Sequence, residues 1–127
     1  MYSHVTLGTN DFPRAEKFYD AVMAALGHPV MFKAPIALAY GTPTGEKLFV
    51  LSPFDGQAAR PGNGVHAAFK VAARATVDAF YAAALANGGT DEGPPGLRPQ
   101  YHPNYYGAYV RDPDGNKIQA VCHRKEG

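Results

Sequence analysis

The sequence predicts an α+β fold made of two βαβββ modules, with the helices outside and a cleft inside. Two observations predict it. First, several residues in the two halves of the chain match at one offset. Second, each half contains one amphipathic helical stretch among short apolar strands. At 127 residues the chain has the length of one domain, so we expect the two copies to pack together around a shared cleft.

The repeat rests on residues that match at one offset. His4 and His66 each open a predicted strand, and they are separated by 66 − 4 = 62 residues. The same offset joins three further pairs in the predicted helices: Phe18 to Phe80, Tyr19 to Tyr81, and Gly27 to Gly89. Several matches at one offset indicate an internal duplication.

Local patterns justify the elements of the first copy in chain order. Alternating apolar residues predict a strand near 2–8. Asn10 or Asp11 can cap the helix that follows, and Gly27 ends it. Three more strands are predicted near 29–33, 35–41 and 46–52, and a turn at Gly45 joins the last two.

The second copy follows a connector at about 53–63. This connector separates a first module of about 1–56 from a second module of about 64–127, within a single domain 1–127. The second module opens with a strand near 64–71, and the sequence Asn87-Gly88-Gly89 ends its helix. Its later strands are predicted near 90–93, 105–111 and 116–123.

The hairpin turns of the two copies match at a larger offset. Gly115 follows Gly45 by 115 − 45 = 70 residues, which is 70 − 62 = 8 more than the offset of the strands and helices. We therefore expect about eight extra residues in the second module. The Gly- and Pro-rich stretch 93–104 is the most loop-like part of the chain, and we place the extra residues there.

Composition excludes several classes of function. With 12 Lys+Arg against 11 Asp+Glu the net charge is +1, which gives no electrostatic footprint for nucleic acid or an anionic membrane. No run of about 18 apolar residues predicts a membrane span, and the first residues do not resemble a signal peptide. The single cysteine, Cys122, excludes an internal disulfide and is compatible with the cytoplasm; we expect it buried and inert.

Strand alternation decides which side chains face the cleft. Val5 and Leu7 form the apolar side of the first strand, so His4 points the other way. The same count places His66 and Gln119 on the side that no helix covers. Three side chains that are able to bind a ligand or a metal are therefore expected on the cleft side.

The duplicated βαβββ arrangement, a His on the first strand of each copy, and the closing turn Asp112-Pro113-Asp114-Gly115-Asn116 resemble the vicinal oxygen chelate superfamily. That superfamily includes glyoxalase I, bleomycin- and fosfomycin-resistance proteins and extradiol dioxygenases. The resemblance covers essentially the whole chain. It implies a glyoxalase-like open barrel, a divalent metal ion such as Zn, Ni, Mn or Fe, a small-molecule substrate and a homodimer.

Carried over residue by residue, the resemblance implies a weakened metal site. His4 and His66 match the family's histidine ligands, and Gln119 stands where the family usually has Glu. The fourth position aligns with Phe49, or with Val50 if the register slips by one, and neither binds metal. A Gln amide contributes a dipole rather than a charge and has no useful basicity, so glyoxalase I chemistry is disfavoured. Without metal, the histidines and Gln119 are hydrogen-bonded polar groups of the cleft.

The long loop of the second module supplies the remaining candidates. Aromatic side chains with polar tips and one arginine suit a pocket for a small, partly apolar, anionic ligand. The cluster contains Arg98, Tyr101, His102, Tyr105, Tyr106 and Tyr109. Tyr105 and Tyr109 are assigned to the cleft, and His102 is a candidate proton carrier. The alternative for the cluster is a tyrosine-rich dimer contact.

Three functions remain open at this point. The first is a glyoxalase-like, metal-dependent lyase, isomerase or dioxygenase with His4, His66 and the weak ligand Gln119. Arg98 and Tyr101 would orient its substrate. The second is a metal-free protein that sequesters a small molecule, as bleomycin-resistance proteins do. The third is a structural or regulatory dimer whose cleft has lost its function.

Overall fold

The structure is a computed structural model that describes residues 1–126, and its elements follow the predicted order. The first module contains β1 (His4–Gly8), α1 (Phe12–Leu26), β2 (Val30–Ala34), β3 (Ala37–Gly41) and β4 (Lys47–Leu51). The second contains β5 (His66–Val71), α2 (Arg74–Ala86), β6 (Thr90–Leu97), β7 (Tyr106–Arg111) and β8 (Lys117–Cys122). The predicted α+β class and duplicated order are confirmed.

Each module contributes one four-stranded sheet, and both sheets have the same strand order. The orders are β1-β4-β3-β2 and β5-β8-β7-β6. The first strand of each module runs parallel to the last one, whereas the other neighbours are antiparallel. Parallel neighbours need a long connection, which the helix and the two middle strands supply. The two sheets are not closed into a barrel.

The helices form where capping groups and an apolar stripe coincide. Asp11, rather than Asn10, caps α1, since its side chain accepts a hydrogen bond from the Arg14 amide at 3.0 Å. Gly27 ends the helix with φ 84°, a conformation that suits glycine. α1 and α2 pack on each other, and α2 also packs on β7. Residues of both modules form a single hydrophobic core that includes the fully buried Cys122.

β6 differs from the prediction. The sequence placed its end at 93 and a loop from there to 104, whereas the strand continues to Leu97 with two irregularities in its register. Pro94 and Pro95 argued against a strand because proline cannot donate to a ladder. They are tolerated because β6 is the edge strand of its sheet and pairs only with β7. Part of the insertion is therefore a bulged strand.

The turn 112–116 joins the two modules. The side chain of Asp114 is only 4% exposed; it accepts hydrogen bonds from the Thr9 hydroxyl at 2.5 Å and the Asn10 amide at 3.0 Å. Asn116 Nδ2 donates to the Gly8 carbonyl at 3.0 Å. The start of α1 in the first module is thus fastened to the last hairpin of the second. Within residues 1–126, no helix is both long and apolar enough to cross a membrane.

Candidate functional site

Strand pairing identifies the equivalent positions on the open faces of the two sheets. β1 places Thr6 opposite Phe49 on β4, and β5 places Ala68 opposite Gln119 on β8. Thr6 and Ala68 are related by the offset of 62. Phe49, and not Val50, is therefore the counterpart of Gln119, which settles the register that the sequence left open.

His4 lies on the open face of the first sheet among apolar side chains. Its Nδ1 is 2.8 Å from the Ser3 hydroxyl oxygen, and its ring packs edge-on against Phe49 with centroids 5.2 Å apart. Phe32 packs beside Phe49 with centroids 6.1 Å apart. Among residues 1–126, His4 makes no hydrogen bond or ring contact with His66 or Gln119. This half of the predicted cleft is mostly apolar.

Gln119 is the centre of a polar cluster on the second sheet. The residue is 1% exposed, and both ends of its amide are hydrogen-bonded. Its Oε1 lies 2.8 Å from His66 Nε2, and its Nε2 donates to the Tyr105 hydroxyl at 2.8 Å. Because an amide oxygen only accepts, His66 Nε2 carries a proton in this arrangement. Gly107 makes room for the cluster, since a Cβ there would lie 3.3 Å from Tyr105 Cε1.

A count of protons shows what the cluster offers to a ligand. The hydroxyl oxygens of Tyr105 and Tyr109 are 3.1 Å apart, so one phenol donates to the other. Tyr105 already accepts from Gln119. The pair has two phenol protons and uses one between its members, so one remains without an acceptor among the described residues. Burial, followed by the hydrogen bond with Tyr105, raises the pKa of Tyr109 to about 12, and this phenol stays protonated at neutral pH.

Two cations flank the ring of Tyr109. The Arg98 guanidinium carbon lies 5.6 Å from the ring centroid, and Lys117 Nζ lies 5.3 Å from it. Arg98 is held in place by hydrogen bonds to the carbonyls of Gly96 at 2.9 Å and Pro94 at 2.7 Å. These contacts bring positive charge to the ring of Tyr109.

The remaining loop candidates lie in different environments. Tyr101 is 63% exposed and packs on Tyr105 with centroids 4.9 Å apart. Tyr106 points to the helix side, where its hydroxyl donates to Asp78 at 2.6 Å. The loop therefore brings Arg98, Tyr101, Tyr105 and Tyr109 to the cluster but turns Tyr106 away from it.

His102, the candidate proton carrier, has both ring nitrogens engaged. Nδ1 accepts from the Asn104 amide at 3.1 Å, which leaves the proton on Nε2, and Nε2 lies 2.8 Å from His123 Nδ1. Sequence reasoning gave no role to His123 or to Lys117. Alternation contained a signal for both, because His123 and Lys117 share the strand face of Gln119. Their contacts depend on the course of the loop, which alternation does not predict.

The donors of one chain fit a tightly bound divalent ion poorly. No group of three or more His, Cys, Asp or Glu side chains in the described part of the chain is arranged to hold a metal. The Gln119 oxygen is neutral and already accepts from His66, and the counterpart position holds Phe49. Tight sites for such ions normally include anionic or unprotonated nitrogen donors. The ligand set His4, His66 and Gln119 stays a prediction.

A separate cavity of about 360 Å³ opens between the modules. Its wall combines His4 and Val5 of β1 with residues 67–70 of β5, but it includes neither His66 nor Gln119. The polar cluster itself lies on an open sheet face. The hydrogen-bonding groups, rather than concavity, therefore mark the candidate site.

Comparisons with known proteins agree with this architecture. The family model described as Glyoxalase/Bleomycin resistance protein/Dioxygenase superfamily matches residues 2–120. A search of curated proteins finds no match.

Solved structures with the same fold include proteins described as glyoxalase-related. The chain is 40% identical to a glyoxalase/bleomycin resistance protein from Albidiferax ferrireducens T118, with a TM-score of 0.87 and coverage of 98% of this chain and 99% of that one. It is 25% identical to a glyoxalase-related enzyme from Fulvimarina pelagi, with a TM-score of 0.74 and coverage of 96% and 87%. A lactoylglutathione lyase from Agrobacterium tumefaciens shares the fold at 21% identity, with a TM-score of 0.65 and coverage of 96% and 92%.

Proposed function

The chain belongs to the glyoxalase/bleomycin resistance protein/dioxygenase superfamily, and from that membership we propose that it binds a small oxygen-bearing molecule without a metal ion. The molecule lies on the open face of the second sheet. The pair Tyr105 and Tyr109 donates its spare phenol proton to one of the ligand's oxygens. The observation that carries this proposal is that spare proton, which has no acceptor among residues 1–126.

The state of Gln119 supports binding by hydrogen bonds. A buried amide with both ends satisfied costs little, and the Gln119 oxygen is already used by His66 Nε2. The amide nitrogen donates to the Tyr105 hydroxyl and so holds that hydroxyl in place. Either phenol of the pair can then supply the spare proton to the ligand. Glyoxalase I chemistry has no carboxylate at Gln119 or Phe49 for proton transfer.

The test is a binding titration with a panel of small phenols, carbonyl compounds and carboxylic acids, followed by NMR. Tyr105→Phe/Tyr109→Phe removes both phenol protons and keeps both rings, so we expect about three- to tenfold weaker binding, the usual value of one hydrogen bond. Tyr106→Phe is the matched control, because that hydroxyl bonds Asp78 on the helix side. Equal affinity of both variants for every ligand would contradict the proposal.

The competing proposal is a metal-dependent lyase, isomerase or dioxygenase. It is supported by the equivalence of His4 and His66 in the two modules and by the 2.8 Å between His66 Nε2 and Gln119 Oε1, a spacing compatible with neighbouring ligands of one ion. Elemental analysis of protein without a polyhistidine tag distinguishes the two. Near-stoichiometric Zn, Ni, Mn or Fe that is lost in a His4→Ala/His66→Ala variant favours the enzyme. No uptake at micromolar metal favours the metal-free protein.

We also propose that the protein is a homodimer in the cytoplasm. Apolar side chains on and beside the open face of the first sheet support the dimer: Phe32 is 44% exposed and Ile36 is 64% exposed. The cytoplasmic location rests on the single, buried Cys122, which needs no oxidising compartment.

A further inference from the structure

We infer that the ligand of this site is an anion, specifically a carboxylate on a planar apolar body. The inference rests on the proposed function and goes beyond it by naming the chemical class of the ligand. It is carried by the two cations beside the phenol pair and by the way in which the nearby acidic groups are already engaged.

Arg98 and Lys117 bring positive charge to the ring of Tyr109. No salt bridge joins either of them to an acidic group within residues 1–126. Arg98 uses one N–H on each terminal nitrogen for the carbonyls of Gly96 and Pro94, which leaves three of its five N–H groups. A negatively charged ligand would pair with these donors.

The acidic residues of the neighbouring strand are paired mainly with other groups, although the charge of Lys117 also acts on Glu92. Asp91 accepts from the Tyr81 hydroxyl at 3.0 Å and from the Gly93 amide at 2.9 Å. Glu92 accepts from Arg111 Nε at 2.6 Å. That hydrogen bond is the largest cause that lowers the pKa of Glu92, and the charge of Lys117 is a smaller one, so Glu92 is ionised and pairs first with Arg111. The guanidinium of Arg98 therefore keeps three N–H groups for a molecule from outside, and Lys117 adds positive charge beside the same ring.

The geometry favours a carboxylate over other anions. A phenol O–H and a planar guanidinium are donors that suit the two oxygens of a flat carboxylate. Gly93 lets the cation and the ring come together, because a Cβ there would lie 3.2 Å from Arg98 Nη2 and 3.3 Å from Tyr109 Cδ2. The ring of Tyr101, which is 63% exposed, supplies apolar surface for the remainder of a planar ligand.

The test compares probes that differ only in charge or in the shape of the anion. Benzoate, benzamide and phenylphosphonate are titrated into the whole protein, and ¹H–¹⁵N NMR shifts give the affinity and the residues affected. We expect benzoate to shift the signals of Tyr109, Gln119 and Arg98. We expect benzamide to bind at least about tenfold more weakly, the usual effect of one charged hydrogen bond, and phenylphosphonate to bind no better than benzoate.

Variants of Lys117 and Arg98 test whether the preference for benzoate over benzamide depends on these two cations. Lys117→Gln should reduce benzoate affinity by about tenfold and leave benzamide affinity unchanged, and Lys117→Arg should restore it. Lys17→Gln, an exposed lysine on α1, is the control and should change neither. Arg98→Lys tests the guanidinium geometry, because the variant keeps the positive charge and loses the planar N–H donors.

The outcomes separate this inference from the proposed function. If benzamide binds the same residues as tightly as benzoate, the site is real and the anionic class is wrong. If phenylphosphonate binds more tightly than benzoate, the ligand is an anion of a different class. If none of the three probes shifts the signals of the cluster, both the inference and the proposed function are overturned.

Discussion

Tyr19 and Asp112 illustrate how single residues stabilise the joint between the modules. The Tyr19 hydroxyl donates to Asp112 Oδ2 at 2.5 Å across a contact where both residues are buried. Burial, and after it the charge of Asp112, raises the pKa of Tyr19 well above its ordinary value. Asp112 accepts further bonds from the side chain and backbone of Asn116. The native state therefore needs the Tyr19 proton.

This requirement predicts a dependence of stability on alkaline pH. Above about pH 10 the unfolded chain loses the Tyr19 proton while the folded protein keeps it. The free energy of unfolding is therefore complete below that pH and falls as pH rises, by up to about 1.4 kcal/mol per pH unit for one group. In Tyr19→Phe this part of the slope should vanish, and stability at pH 8 should fall by about 1–2 kcal/mol, because Asp112 loses a donor.

Urea unfolding between pH 8 and pH 11 measures both effects. Tyr2→Phe is the control, since Tyr2 is 69% exposed and should change neither stability nor slope. A Tyr19→Phe slope equal to that of the natural protein would refute the assignment of the alkaline loss to this phenol.

At the residue scale, the sequence predicted which face of a strand a side chain occupies better than it predicted what that side chain contacts. Alternation placed His66 and Gln119 on one face, because a strand has a fixed period of two. It could not predict that Gln119 is buried beneath Tyr105, since that depends on the path of the loop. The role of Lys117 was missed for a related reason. Its cation lies over Tyr109, whose position on β7 relative to β8 is set by the register.

The turn 112–116 is the element on which the association of the modules depends most directly. The Asp114 carboxylate accepts from Thr9, Asn10 and Arg14, all around the start of α1. The Arg14 side chain is 47% exposed, so its ion pair contributes little. The hydrogen bonds to the nearly buried carboxylate dominate.

Asp114→Asn should therefore destabilise the protein by about 2–3 kcal/mol, because one acceptor becomes an NH₂ group that faces a donor. Chemical denaturation provides the measurement, and the midpoint should fall with a single transition preserved. Asp55→Asn, in an exposed turn where Oδ1 accepts from the Gln57 amide, is the matched control. If both variants unfold at the same midpoint, the turn does not fasten the modules.

At the scale of elements, the helices and nearly all strands could be predicted from the sequence, since the offset of 62 tests the first strand and the helix of each module twice and the offset of 70 does the same for the last hairpin turn. β6 could not, because Pro94 and Pro95 are poor strand residues everywhere except at an edge, and edge position is a property of the sheet. The joint at Asp114 was also missed. It connects residues about a hundred positions apart, and the local periodicity of apolar residues does not predict such a contact.

The whole molecule presents two open sheet faces of different character. The face around His4 carries the apolar rings of Phe32 and Phe49 beside Thr6 and Lys47, whereas the face around His66 holds a hydrogen-bonded polar cluster. An exposed apolar face of this kind favours association. The proposed homodimer is thus a property of the molecule rather than of any single element.

Phe32→Glu should convert the dimer to a monomer, because a charge placed in a buried apolar contact is costly. Size-exclusion chromatography with light scattering gives the mass. Leu85→Glu on α2, where the side chain is 40% exposed, is the control and should leave the mass unchanged. A natural protein that already has the mass of one chain would rule the dimer out.

The buried position of Cys122 also gives the molecule an internal reporter. The thiol is fully buried on β8, an inner strand between β5 and β7. A thiol-modifying reagent can reach it only when the second sheet opens. Where reclosing is faster than modification, the labelling rate equals the rate for a free thiol multiplied by the open fraction. As the single cysteine of the chain, Cys122 thus allows opening to be timed in native buffer, with and without ligand.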